Sequence, residues 1–390
     1  MNKQPPRKNL LSIVQKLTAF FTCFLLLAFF LKRNDFIILL KASPDTPVMV
    51  PWDAVLQADQ YQLRSSGDNG QIIYTKQSPP IKLVFDQNTE TIAKNAFLFD
   101  ASGQYTMKNG ILYVDSALAS HIINKQILDT NGTISLIDPD HQNHSWTGQG
   151  EGLVAHAAGG INGLAGTNCY EALVTNYNLG HRVFEIDFNM TTDRNLVAVH
   201  DWAGYSGMKS TREWADIKIA DVFQSMSLYN VLEIMETNRD MFLITDTKSF
   251  AYTDEEIREQ FQIIYDTAMA LDERLLDRIV PQIYNQKMYR IIQSVYHWPS
   301  IIYTLYASPD NDQQVIDFVK DKKEIKVITM GPVRYSDAFF QQLRQHDKLA
   351  YFFTLNDAEG IREGIRKGAH GFYTDFIIPA DMDRIRLSVR

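Results

Sequence analysis

The stretch VFEIDFNMTTDRNLVAVHDW, residues 183–202, decides the fold. Two runs rich in Val, Ile and Phe, Val183–Phe188 and Leu196–His200, stand a few polar residues apart. A crossover helix needs a dozen or more residues, so these two cannot be successive parallel strands. Side chains alternate across a strand, which puts Glu185 and Asp187 on one face with Val183 and puts Phe184, Ile186 and Phe188 on the other. Two carboxylates on an inward face repel unless a cation or a shared proton holds them.

Working outward, short apolar runs alternate with longer helix-like segments. The strands expected are Leu153–Ala157, Val183–Phe188, Leu196–His200, Met241–Thr247, Ile279–Tyr284, Ile301–Tyr306, Ile325–Thr329, Leu349–Leu355 and Gly371–Thr374. The helices expected are Asn168–Leu179, Leu228–Asn238, Thr253–Leu271, Gln313–Asp321, Ser336–His346 and Asp357–Lys367. This alternation predicts an α/β fold, a TIM-type (β/α)8 barrel, with Leu196–His200 as a surplus strand forming a hairpin-like irregularity with Val183–Phe188. A doubly wound open sheet is the alternative, but no glycine-rich phosphate fingerprint follows a strand.

In a βα barrel, the C-terminal ends of the strands form the active-site rim. The polar groups cluster at those positions. His156 ends the first run and begins HAAGG; Glu185 and Asp187 lie on the second; His200, followed by Asp201, ends the third; Asp246 and Lys248 end MFLITDTK. Singly, each has an ordinary reading: a strand-end residue, a solvated acidic edge, a turn, a satisfied ion pair. As a set they suit chemistry on a phosphate ester. Glu185, Asp187 and Asp246 are hard oxygen ligands for one divalent cation, Ca²⁺ or Mg²⁺. His156 and His200 are candidate acid and base catalysts. Lys248 can neutralise an anionic oxygen.

The region from about Leu153 to Asp375 resembles the glycerophosphodiester phosphodiesterases, within the wider phosphatidylinositol-phospholipase-C-like phosphodiesterase barrels. The family's His-Arg-Gly strand end is matched at His156, followed by AAGG. Its Glu-Asn-Thr is represented by Asn168 in TNC, and its Glu-x-Asp by Glu185–Ile186–Asp187. The Thr-x-Asp-Gly turn and His-Asp strand end correspond to TTDR and His200–Asp201, and Glu-x-Lys to Asp246–Thr247–Lys248. Near the end, FTLN (Phe353–Asn356) and GAHGFYTD (Gly368–Asp375) match the last two blocks. The resemblance implies histidine acid/base catalysis, a metal held by Glu185, Asp187 and Asp246, and phosphate contact by Lys248. Two departures stand out: Ala157 occupies the arginine position, and Asp246 replaces a glutamate.

Other residues divide between roles. Asn168 is a candidate substrate contact, although its place before YEALVTNYNLG also suits helix N-capping. Trp202 and Tyr205 either wall a substrate pocket or cover the barrel mouth. Cys169 reads as a packing residue, and His141 and His144 in DPDHQNHSW read as polar loop residues.

Composition limits the classes. The chain has 390 residues, 45% apolar and 22% charged, with two cysteines and a formal net charge of -8. A disulfide scaffold is excluded, and nucleic-acid binding is not expected without a basic face. Ahead of the barrel, Lys3, Arg7, Lys8 and Lys16 precede the uncharged run Leu17–Leu31, which is followed by KRND. A cleaved signal also carries basic residues before an apolar run, but KRND lacks the small residues of a cleavage site. The expectation is an uncleaved transmembrane anchor over residues 1–40 with an extracytoplasmic catalytic domain. Residues 41–150 are expected to be a proline-rich linker (KASPDTPVMVPWD) and a small β-rich region without a ligand cluster, and residues 151–390 the barrel. QIIYTK and IKLVFD are expected strands, and AFLFDASGQYTMKNGILYVD two strands turning at Asp100–Gly103.

The functional expectation is a metal-dependent hydrolase acting on a small-molecule or polymer phosphodiester outside the cytoplasm. A phospholipase acting on membrane lipid is one alternative. The other is a non-catalytic barrel that binds a phosphorylated surface polymer.

Overall fold

The structure, a computed structural model, describes residues 37–38, 48–66, 70–77, 81–94, 97–123, 125–130, 133–137, 145–150 and 152–389. Residues 153–389 form the barrel. Its strands are β1 (Leu153–Ala155), β2 (Val183–Met190), β3 (Phe242–Asp246), β4 (Ile279–Ile283), β5 (Ile301–Thr304), β6 (Ile325–Met330), β7 (Leu349–Phe352) and β8 (Gly371–Thr374). Each pairs in parallel with the next, and β8 pairs with β1, so the sheet closes. The outer layer holds α1 (Tyr170–Asn178), α2 (Leu228–Thr237), α3 (Asp254–Leu271), α4 (Gln286–Val295), α5 (Asp312–Val319), α6 (Asp337–Gln345), α7 (Ala358–Arg366) and α8 (Pro379–Val389). The (β/α)8 expectation is met. The helices α4 and α8 were not among those expected from sequence.

Local chemistry starts the helices where the chain can satisfy their first amides. Ser227, Thr253 and Asn311 each accept from the third residue of the following helix, and that residue's side chain returns to the cap backbone. Such reciprocal capping removes orphan donors that would otherwise destabilise the first turn. The strands are buried on both faces, as parallel strands under helices must be. Val183, Phe242 and Ile244 face inward with Val154, Val280, Ile302, Val327, Tyr351 and Tyr373. Phe184, Ile186 and Phe188 face outward beneath the helices.

The surplus strand is resolved as predicted. Leu196–Ala198 pairs antiparallel with the end of β2, in the register Phe188↔Ala198, Asn189↔Val197 and Met190↔Leu196. The chain therefore doubles back before α2 and places His200 beside β2.

Trp146 closes the N-terminal end of the barrel. It is buried, packs edge-on against Tyr351 with ring centroids 5.9 Å apart, and joins the inward-facing cluster. Its segment is tied down where the Tyr351 hydroxyl donates to the Gly148 carbonyl at 2.6 Å.

Before the barrel, Gln62–Ser66, Gln71–Lys76, Ile81–Asp86, Thr91–Lys94 and Phe97–Asp100 form an antiparallel meander, with Ile37–Ile38 parallel to its last strand. The expected two strands of residues 96–115 are three. Tyr105–Lys108 and Ile111–Asp115 make a separate hairpin turning at Asn109–Gly110, both with positive φ. Asn-Gly suits that mirror-image turn, so the chain reverses there rather than at Asp100–Gly103. Part of the expected linker is also ordered. Met49–Pro51 pairs with Ile111–Asp115, and Trp52–Ala58 is a helix. Pro51 precedes the helix, where its missing N–H is not needed. The buried side chains of this region and of the barrel's outer layer belong to one continuous cluster.

The expected membrane anchor is corrected. Among the described residues, no helix is long and apolar enough to cross a membrane. The longest helix among the described residues, α3, opens with Asp254, Glu255 and Glu256, charges that oppose burial in hydrocarbon. The run Leu17–Leu31 lies outside the described residues. The structure thus gives no support to the expected anchor or to the extracytoplasmic placement that followed from it.

Candidate active site

The acidic groups sit where the barrel turns from packed core to mouth. Along β2 the inward face runs from Val183 to Glu185 to Asp187, and along β3 from Phe242 to Ile244 to Asp246. Asp187 is paired in register with Asp246. All three carboxylates are buried, and their oxygens lie within 4.8 Å of one another. Burial and the adjacent Asp187 charge push Glu185 well above the usual carboxylate range, and burial raises Asp246 against the opposing Lys248 charge.

Lys248 is the counter-charge. Its Nζ lies 2.6 Å from Asp187 Oδ1 and 2.8 Å from Asp246 Oδ2. Burial opposes its charge, but Asp246, Asp187 and Glu185 outweigh that and raise the amine above its ordinary value. The residue stands past the strand end with φ 49°, a left-handed conformation that turns the ammonium back over β3. Lys248 does not neutralise all three carboxylates: either Glu185 keeps a proton, as its raised value allows, or a cation balances the charge. An unpaired buried ion costs several kcal/mol, so a divalent cation fits the deficit. The separations fit as well: oxygens about 2.1–2.5 Å from one Mg²⁺ or Ca²⁺ lie up to about 5 Å apart. The residues that could hold it are Glu185, Asp187 and Asp246.

His156 follows β1 directly. Its Nδ1 lies 2.9 Å from Asp375 Oδ1, and its Nε2 lies 4.0 Å from Glu185 Oε2. Asp375 is itself held: the Asn356 amide donates to its Oδ2 at 2.7 Å, and its backbone N–H donates to Asn356 Oδ1 at 2.7 Å. Burial opposes protonation of His156, but the Asp375 hydrogen bond and the Glu185, Asp375 and Asp187 charges lift it to about 9. The loops after β1 and β8 touch at Gly160, whose N–H donates to the Asp375 carbonyl at 2.5 Å. A Cβ there would fall 2.3 Å from the Phe376 ring, so only glycine permits the approach that delivers Asp375 to His156.

Ala157, at the arginine position, is fully buried in a left-handed conformation (φ 48°). Its backbone N–H donates to Glu185 Oε2 at 2.9 Å, a role that needs no side chain. Asn168 is not a helix cap. Its Nδ2 donates to Asp187 Oδ2 at 2.8 Å, and its Oδ1 accepts from the Asp187 N–H at 3.0 Å. The helix N-cap is Cys169, which is buried. Asn168 thus fixes the orientation of a carboxylate in the acidic cluster.

His200 is exposed, with Nδ1 2.8 Å from Asp201 Oδ2. Its backbone is anchored by Asn189, whose amide donates to the Val199 and His200 carbonyls at 3.0 and 2.8 Å. It opens onto a cavity of about 620 Å³ lined in part by Thr167, Asp201, Tyr205, Lys218 and Asp221. Thr167, in that lining, is followed by Asn168, which holds Asp187 of the acidic cluster. Trp202 is outside this lining; its Nε1 donates to the Met190 carbonyl at 3.2 Å and its ring packs edge-on against Trp214. His141 and His144 lie outside the described residues.

Three neighbours went unassigned in the sequence. Asp375 and Asn356 lie in motif blocks that carried no role. Tyr306 ends the run after β5, and its hydroxyl donates to Asp246 Oδ2 at 3.0 Å. Their partners stand far away in sequence, so spacing could not reveal them.

Sequence comparison finds no matching family model and no matching curated protein. Structural comparison finds many similar barrels. A candidate glycerophosphodiester phosphodiesterase from Galdieria sulphuraria is 12% identical, with a TM-score of 0.51 over 61% of this chain and 98% of that one. A glycerophosphodiester phosphodiesterase from Parabacteroides distasonis is 13% identical, with a TM-score of 0.48 over 64% and 100%. An Oleispira antarctica phosphodiesterase in complex with the product sn-glycerol-3-phosphate is 13% identical, with a TM-score of 0.49 over 60% and 96%. At such identities the likeness speaks to fold, and by fold residues 153–389 are a closed (β/α)8 barrel of the build found in the Galdieria sulphuraria structure.

Proposed function

We propose that this chain is a divalent-cation-dependent phosphodiester hydrolase. The observation that supports it most is the pairing of His156, held by Asp375, with the Glu185–Asp187–Asp246–Lys248 cluster at the C-terminal ends of β1, β2 and β3. The motif series quoted from the sequence points to the same activity.

Glu185, Asp187 and Asp246 would hold the cation, which when bound supplies Lewis-acid stabilisation of charge on the phosphate oxygens. Lys248 contributes a fixed positive charge beside the same oxygens. His156 and His200 divide the proton transfers. One imidazole takes a proton as a water or substrate hydroxyl oxygen bonds to phosphorus; the other gives a proton to the alcohol oxygen as its bond to phosphorus breaks. With water as the attacking group, the products are a phosphomonoester and an alcohol. Asp375 keeps His156 in one tautomer, with Nε2 toward the cluster, as a carboxylate partner does for other catalytic imidazoles.

The test is hydrolysis of glycerophosphodiesters by the purified full chain, with and without EDTA, alongside His156→Ala. Cleavage that requires the cation and the histidine is expected. A folded, cation-loaded protein that cleaves no diester overturns the reading.

A further inference from the structure

We infer that the substrate is amphiphilic: a phosphodiester with one polar alcohol and one long-chain apolar group, the latter lying on an aromatic shelf beside Asp246. The inference rests on the hydrolase reading and adds to it the class of substrate.

The mouth of the barrel has two unlike sides. Over β1 and β2 lies the polar cavity, where His200, Asp201, Lys218 and Asp221 offer charges of both signs. Over β3 to β7 the loops present rings instead. Phe250, after β3, packs edge-on against Tyr284 and Tyr306, with centroids 5.2 and 6.2 Å apart. Tyr306 continues to Phe353 at 5.8 Å. Gly331 lies between Phe353 and Val333: a Cβ placed on it would sit 3.9 Å from each side chain, so Val333 stands on the loop next to the rings.

The shelf is exposed rather than packed. Phe250 is 56% exposed, Tyr306 46% and Val333 99%. Leaving such side chains in water forfeits the free energy of burial, and contiguous apolar exposure is uncommon on soluble surfaces without a binding role. The shelf also joins the acidic cluster without a gap. The Tyr306 hydroxyl donates to Asp246, while its ring forms part of the shelf. A phosphate at the cluster would therefore send one ester arm into the polar cavity and the other across the rings. A polyhydroxylated group on both arms would leave the shelf wet.

Alkylphosphocholines are phosphodiesters of this shape and serve as the probe. Chains of two to ten carbons, each below its micelle concentration, are titrated into the cation-loaded full chain. One fully buried methylene tightens binding about fourfold, so even partial burial should lower Kd at least tenfold across the series. Val333→Ser and Phe250→Ser, both exposed and safe for folding, should cut that gain below threefold. A chain-length-independent Kd overturns the inference, as does a gain that persists undiminished in both variants. Dimerisation lost in Val333→Ser without any chain-length effect would assign the shelf to a second copy and also overturn it. Hydrolysis of glycerophosphocholine, measured in parallel, reports on the hydrolase reading separately, because that substrate has no chain to place.

Discussion

His156 and Asp375 are 219 residues apart in sequence and 2.9 Å apart in space. The contact spans the closing seam of the barrel, where β8 meets β1. Burial opposes ionisation of Asp375, but hydrogen bonds from His156 and Asn356 outweigh it and keep the carboxylate charged. Asp375→Asn should therefore lower kcat at least about 100-fold with a smaller change in KM, since it loosens the tautomer and not the phosphate site. It should also shift the pH profile of kcat toward acid, because the imidazolium loses its partner. An unchanged profile would reduce Asp375 to a structural residue.

The three carboxylates repel each other without a cation. A saturating divalent cation at about 100 times its Kd should stabilise the fold by about 2.7 kcal/mol. Glu185→Gln should lose that response while leaving the cation-free protein as stable or more so. Thermal unfolding with and without EDTA checks both halves; a Glu185→Gln protein that keeps the full cation shift places the ion elsewhere.

Trp146 seals the barrel floor. Trp146→Ala should cost about 3–5 kcal/mol, the usual range for a large buried ring whose cavity cannot collapse. Urea denaturation measures it, and a loss below 1 kcal/mol would show that the floor closes without the indole.

His181 follows α1 and is buried; burial lowers it to about 4. Its folded value lies below its unfolded one, so the unfolded chain binds the proton more readily. Stability is complete above about pH 6.5 and is lost as pH falls toward 4, on the order of 3 kcal/mol for this group. His181→Asn should flatten the slope of stability against pH in that window, and an unaltered slope would assign the acid sensitivity to other groups.

The barrel was legible in sequence because its strands are buried on both faces and read as unbroken apolar runs. All nine expected runs contain a strand. The acidic cluster was legible for a related reason: two-residue alternation alone puts Glu185 and Asp187 on the same face as Val183, and Asp246 on the same face as Ile244. What failed was whatever depends on closure. Asp375, held by Asn356, reaches His156 only because β8 returns to β1. Trp146 sits in a polar stretch whose docking under the strands has no local signature. Asn168 looked like a cap because the same amide that caps a helix can also hold a carboxylate; the positive φ that turns it inward is a tertiary effect. The helix Gln286–Val295 was missed although its buried Met288, Ile291 and Ile292 keep helical spacing.

The antiparallel return of Leu196–Ala198 onto β2 has a consequence for how this site can change. Glu185, Asp187 and, through the ribbon, His200 all hang from one strand. Slipping that pairing by two residues would carry His200 along β2 while leaving the carboxylates in register with β3. The place of the second imidazole is thus set by the register of one short hairpin, while the acidic cluster is set by the pairing of β2 with β3.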